Sequence, residues 1–314
     1  MIKYIIHKDG AKLLGLPDNL KHLSVIKAEL NNEQVAILKA ANIPFHPEGK
    51  ITVKLLVDEK YEKKRTEWKK FVLKGITGAG CKVAVMDTGC NTTYVPCDYT
   101  VNYTSDPDAD IVGHGTQVTS IIKSSVGLAP GCEIHHIKMI DDTDSVSEAD
   151  FLEAINYCIA NSIDVVNMSF QASFSSMQSA LDSLIAANCI AIASSGNSSS
   201  DTAIAIPAGL NNCVAVNAVD EDGNPQYKNN IVSGDAVHGI DMAAAGWGNE
   251  VVTRFGTTIS NYGSSFSSPF VCGMFALYKE ELGIADNKKV LQHIYNKCMK
   301  QADVTNFGRG FLTA

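Results

Sequence analysis

From Gly75 onward, short apolar runs alternate with longer segments of helical period, and that alternation leaves few architectures open. CKVAVMD (81 to 87) suits a strand buried on both faces, the mark of a parallel sheet covered by helices. HGTQVTSIIK (114 to 123) reads as a helix, EIHHIKMI (133 to 140) as a strand, and SEADFLEAINYCIANS (147 to 162) as an amphipathic helix. Next come strand DVVNMSF (164 to 170), helix SMQSALDSLIAAN (176 to 188), and strands CIAIAS (189 to 194) and NCVAVNAV (212 to 219). The last clear helix is SSPFVCGMFALYKEELG (267 to 283). The expected fold class is α/β, a mostly parallel sheet with helices on both faces.

Residues 1 to 57 break this pattern and read as a small α+β domain. Ile2 to His7, Leu23 to Leu30 and Ile51 to Val57 have the content of strands. A helix between the second and third starts at Asn31, with Gln34 placed to return a hydrogen bond, and ends near Pro44 and Pro47. DEKYEKKRTEWKK (58 to 70) is almost uninterrupted charge and marks a linker, its second half equally readable as an exposed first helix of the main domain. Residues 71 to 314 form that main domain.

The net charge of −8 sets up no field for phosphate backbones or anionic lipid, so no nucleic-acid or membrane partner is expected. Charges at Lys3, His7, Lys8 and Asp9 interrupt any signal-type apolar stretch, and no run approaches the roughly 18 apolar residues of a membrane span. Nine cysteines without paired spacing read as reduced thiols, and a cytoplasmic location is expected. Without a C-x-x-C pair no metal site is expected, and His135 and His136 read as structural. Nothing selects Cys90 for thiol chemistry, and Asp141, Asp142 and Asp144 read as a solvated turn.

Four short segments fall where open α/β sheets place ligands, at strand ends and helix starts. Asp87 ends a strand in VMDTGC. His114 begins a helix between Gly113 and Gly115, where backbone crowding is low. Ser265 stands with Ser264, Ser267 and Ser268 ahead of a helix whose first turn is expected to hold Pro269. Asn197 follows a strand through Ser195 and Gly196. Singly, each is an ordinary turn, cap or core residue; together they run in the order Asp, His, Ser.

In that order the segments resemble the subtilisin-like serine proteases over roughly residues 70 to 314. VAVMDTGC is similar to that family's Asp strand, HGTQV to its histidine motif and GSSFSSP to its serine motif, which selects Ser265 among the four serines. GLAP (127 to 130), SSGN (194 to 197), IPA (206 to 208) and GRGFL (308 to 312) follow in register. SVIKAELNNEQVAILKAA resembles part of the family's inhibitory propeptide. The resemblance implies a serine endopeptidase with Asp87, His114 and Ser265 as its triad, Asn197 in the oxyanion hole, and protein or peptide substrates. It further implies a self-processing zymogen whose own propeptide is an intramolecular inhibitor. Ser169, Phe170, Gln171, Ser194, Ser195, Gly196 and Ala205 would line the substrate pocket.

Departures from the family pattern are also plain. Gln171 and Ala172 replace glycines beside which substrate lies, and Gln117 replaces the second histidine of HGTHV. Ala244-Ala245-Gly246 stands for the usual APG. The loop after the histidine helix, where relatives carry calcium ligands, is short from Lys123 to Gly127, so no cofactor is expected. A catalytically silent subtilase acting as a binding or regulatory module is the alternative.

Overall fold

The computed structural model describes the backbone of residues 2–7, 25–30 and 45–47, and residues 66–313 apart from 201–202, 221, 227–228 and 232–238. The chain divides into two units, Met1–Val57 and Asp58–Ala314. In the first, β1 (Ile2–His7) pairs antiparallel with β2 (Val25–Leu30) and with β3 (Phe45–Pro47), in the order β2-β1-β3. The first two strands stand where the sequence put them. The third lies in the segment read as the end of a helix, and its proline sits on a sheet edge, where a missing N–H costs no ladder bond. The helix expected from Asn31, the strand expected over Ile51 to Val57 and the charged residues 58–65 lie outside the described residues.

In the second unit, α1 (Thr66–Leu73) occupies the latter half of the charged stretch, which is therefore not linker as far as residue 70. Two aromatic residues anchor it. The Trp68 indole donates to the Leu128 carbonyl at 2.8 Å, and Phe71 meets Tyr278 edge-on at 4.9 Å.

The main sheet has eight strands in the order β13-β10-β9-β8-β7-β4-β6-β5, parallel at every pairing. They are β4 (Lys82–Asp87), β5 (Tyr99–Asn102), β6 (Glu133–Lys138), β7 (Val165–Met168), β8 (Ile190–Ser194), β9 (Cys213–Val219), β10 (Met242–Ala245) and β13 (Phe311–Leu312). β4 shows why its apolar run is continuous. Val83 and Val85 enter one core with Val118, Ile122, Phe270 and Met274, while Ala84 and Met86 enter a second with Phe151, Ile155 and Leu181. Alternate side chains thus feed opposite helical layers. The first layer is α2 (His114–Ile122) and α5 (Ser264–Leu282); the second is α3 (Glu148–Ala160) and α4 (Met177–Ala186). Two further helices, α6 (Asn287–Lys297) and α7 (Val304–Phe307), lead to β13.

α5 begins at Ser264, three residues before its expected start. Ser265 therefore lies within the first turn, and Pro269 lies inside the helix rather than at its opening. A hairpin of β11 (Trp247–Val252) and β12 (Thr258–Tyr262) precedes α5, and Trp247 stacks on Tyr262 at 4.5 Å. From β4 the chain builds β5 and β6 on one side, then returns to β7 on the other. The carboxyl ends of β4 and β7 consequently flank a topological switch point, where such sheets bind ligands.

Candidate active site

Asp87 is the last residue of β4 and fully buried, and its carboxylate is held first by its neighbour, Thr88 N–H donating to Oδ1 at 2.8 Å. His114 opens α2, and its Nδ1–H donates to Asp87 Oδ1 at 2.8 Å, with Oδ2 at 3.1 Å. That bond fixes the tautomer that leaves a lone pair on Nε2. Burial disfavours the charged imidazole, yet the charge and hydrogen bond of Asp87 outweigh it, and Asp144 and Asp110 add to them. The His114 pKa stands above the ordinary value of 6.5. Gly113 holds the entry to α2 at φ 88°, and a Cβ on Gly115 would lie 2.2 Å from the Gly89 carbonyl oxygen. The glycines beside the histidine thus permit a left-handed turn and a close backbone approach.

Ser265 stands in the first turn of α5, and the ring of its neighbour Phe266 lies 6.0 Å from that of His114. The Ser265 hydroxyl donates to the Ser169 carbonyl at 3.4 Å, so it rests off the imidazole. The Ser169 hydroxyl in turn donates to the Ser265 carbonyl at 2.8 Å. These reciprocal contacts join the end of β7 to the start of α5.

Asn197 follows β8 through Gly196, whose φ of 104° turns the chain. Its Oδ1 accepts from Ser264 N–H at 2.9 Å and from the Ser264 hydroxyl at 3.0 Å. A backbone N–H can only donate, so the amide orientation is determined: Oδ1 bonds the start of α5, and Nδ2 is left as a donor. Nδ2 has no partner among the described residues. Asn230, 4% exposed, supports the loop beyond by accepting from Ser198 N–H at 2.9 Å.

The residues expected along the pocket divide. Ser169 is buried with its hydroxyl among Asn167, Ser265 and Ser268, and the Phe170 ring packs on Phe151 in the second core, so neither side chain lines a cleft. Gln171 is exposed. Ser194, Ser195, Gly196 and Ala205 are buried; Ala205 N–H donates to the Ser195 carbonyl at 2.8 Å, and a Cβ on Gly196 would lie 3.0 Å from Ala205 Cβ. Gln117 accepts from Asn261 at 2.6 Å and ties α2 to β12.

Asp110, 5% exposed, is a positioning residue that sequence reasoning missed. Its Oδ1 accepts from the Thr88 hydroxyl at 2.8 Å and Gly113 N–H at 2.7 Å, and its Oδ2 from Thr116 N–H at 2.9 Å. One carboxylate thereby caps α2 and ties it to the residue after Asp87. An acid four residues before a helix-opening histidine was the available signal.

The turn after α2 gives no fit for calcium. Its Ser124 hydroxyl donates to the Ser120 carbonyl and accepts from Val126 N–H, and residues 123–127 carry no carboxylate. Asp141 Oδ1 accepts from Thr143 N–H and Ser145 N–H, which makes its cluster a hydrogen-bonded turn.

Against known proteins, residues 78–310 match the subtilase family. Alkaline elastase YaB of Bacillus sp. (strain YaB) is 27% identical over 259 residues, covering 77% of this chain and 65% of the elastase, so the chain spans under two thirds of that relative's length. Subtilisin Savinase of Lederbergia lenta is 27% identical over 259 residues, covering 77% of this chain and 91% of Savinase. Among solved structures, the prenylagaramide maturation protease PagA shares the fold, with a TM-score of 0.68 and 24% identity over 78% of this chain and 95% of PagA. A match that runs from Gly78 to Gly310, through β4, α2 and α5 alike, makes this chain a member of the subtilase family.

Proposed function

We propose that the chain is a serine endopeptidase that hydrolyses protein or peptide substrates with Asp87, His114 and Ser265. The observation that carries this reading is the 2.8 Å bond between His114 and a fully buried Asp87, which leaves Nε2 unprotonated beside the turn that bears Ser265. To react, the Ser265 hydroxyl leaves the Ser169 carbonyl and turns to that nitrogen; catalytic contacts of this kind are often long without substrate. The hydroxyl oxygen then attacks the scissile carbonyl, and His114 takes its proton and delivers it to the leaving amine. Asp87 holds the ring and balances the imidazolium. Charge developing on the carbonyl oxygen meets Asn197 Nδ2 and the Ser265 N–H in the first turn of α5. Water repeats the sequence on the acyl-enzyme. No charged side chain stands among Ser194, Ser195, Gly196 and Ala205, which suits an uncharged substrate side chain.

The N-terminal unit, Met1–Val57, is proposed to be the chain's own propeptide and inhibitor, released by cleavage in the charged segment that follows. Intact mass measured over hours, then treatment with a fluorophosphonate, tests both parts. The expected result is shortening near residues 57 to 70 and a single label on Ser265, with neither in Ser265→Ala. Wild-type protein that stays full length and unlabelled, even after removal of the N-terminal unit by another protease, would favour a silent binding module.

A further inference from the structure

Strand β6 carries His135 and His136 on opposite faces, and the two differ in how their nitrogens are used. His135 has a partner at each, Tyr157 Oη at 2.9 Å and Glu133 Oε1 at 2.8 Å. His136 is 1% exposed; its Nδ1 lies 2.9 Å from Thr119 Oγ1, while its Nε2 has no hydrogen-bond partner. The single Thr119 proton is committed to the Gly115 carbonyl at 2.8 Å, since that oxygen can only accept. Nδ1–H therefore donates to Thr119, and Nε2 holds a lone pair. A buried polar atom left in this condition points to a missing partner.

The imidazole stands beside two sulfurs. Cys90 Sγ, Cys97 Sγ and a His136 ring nitrogen lie within 4.8 Å of one another, and both thiols reach the Val95 carbonyl, at 3.8 and 3.7 Å. We propose that Cys90, Cys97 and His136 bind one thiophilic cation, Zn²⁺. Zinc bonds of about 2.3 Å to sulfur and about 2.0–2.1 Å to nitrogen need ligand atoms roughly 3.5–4 Å apart, a small closure of the observed cluster. Two thiolates neutralise the dication, which a buried site requires. One imidazole and two thiolates select a soft or borderline metal over calcium or magnesium. Cys90 and His136 also line a groove of ≈ 700 Å³, which gives the cation an entry and a water as fourth ligand. Thr119 orients the ligating ring, the usual outer partner of a metal-bound histidine. A Cβ on Gly115 would lie 3.0 Å from His136 Cε1 and 3.1 Å from Asp87 Cβ, so the cation would brace the back of the Asp87–His114 pair. The site stands whether or not the chain is a protease.

Cobalt(II) titration of the full-length Ser265→Ala protein, reduced and stripped by chelator, tests it. The expected result is thiolate-to-cobalt charge-transfer absorption that saturates at one metal per chain and is displaced by Zn²⁺. Cys97→Ser and His136→Ala should abolish it, Cys158→Ala should retain it, and Thr119→Val should weaken binding by about 10–100-fold. Folding of each variant is checked by circular dichroism, and Cys97, being only half-buried, gives the variant least exposed to misfolding. Absence of the absorption in the parent protein, or its survival in Cys97→Ser, overturns the proposal. So does thiol counting and peptide mapping of unreduced protein that find Cys90 and Cys97 joined as a disulfide.

Discussion

Pro269 stands one turn after Ser265 in α5 and has no N–H to return to the Ser265 carbonyl. The Ser169 hydroxyl fills that place at 2.8 Å. A proline within a helix thus frees an acceptor at the residue that bears the proposed nucleophile, and β7 uses it to hold the turn.

Ser169→Ala should cost about 1–3 kcal/mol, because the half-buried Ser265 carbonyl loses its donor and Asn167 and Ser268 lose a buried partner. In a Pro269→Ala background the backbone N–H at position 269 can reach that carbonyl, and the cost of Ser169→Ala should fall by about 1 kcal/mol. Urea unfolding of the four proteins of this cycle, all treated with inhibitor, measures the coupling. Equal costs in both backgrounds would disprove the exchange of donors.

Asn197→Ala should lower kcat by about 10²–10³-fold with KM little changed, as expected for a donor used chiefly in the transition state. Asn197→Asp should be at least as damaging. Its first oxygen still accepts from Ser264 N–H, but its second places negative charge where the oxyanion forms. Steady-state kinetics on a peptide ester and a peptide amide give both numbers. An active Asn197→Asp enzyme would contradict the assigned amide orientation.

The layered sheet was legible because β4, β7, β8 and β9 are buried on both faces, so their apolar runs have few interruptions. β5 and the β11–β12 hairpin were not, since β5 and β12 hold no buried residue and Gly248, Asn249 and Glu250 break the apolar run of β11. Pro269 misplaced the start of α5, because a proline suits a first turn better than an interior. Asp87, His114, Ser265 and Asn197 could be read from motif order. Asp110, Thr88 and Ser264 could not, since their roles come from contacts between segments distant in sequence.

The His114 pKa is raised above 6.5, and a general base must be neutral, so kcat/KM should rise with pH through a midpoint above that value. Asp144→Asn removes an exposed contributor to the shift and should move the midpoint down, as should added salt. Stability runs the other way. A group whose folded pKa is raised contributes fully below its unfolded pKa, and that contribution is lost as pH rises through the folded pKa. Activity profiles and urea midpoints across this range should therefore move in opposite directions, unless His114 is not the titrating base.

Gly115 is where the site leaves no room for a side chain. A Cβ there would stand 2.2 Å from the Gly89 carbonyl oxygen, 3.0 Å from His136 Cε1 and 3.1 Å from Asp87 Cβ. Backbone cannot yield as a flexible side chain does, so Gly115→Ala must push α2 away from the end of β4. The loss of stability should reach or exceed about 1–3 kcal/mol, and kcat should fall with it, because the Asp87–His114 bond spans the same gap. Gly283→Ala is the matched control. Its φ of +60° imposes backbone strain of about 1 kcal/mol, while a Cβ there meets nothing within 4 Å. Thermal unfolding and kcat measured on both variants separate a general loss of stability from a displaced catalytic pair. Equal kcat in the two would remove Gly115 from the account of the site.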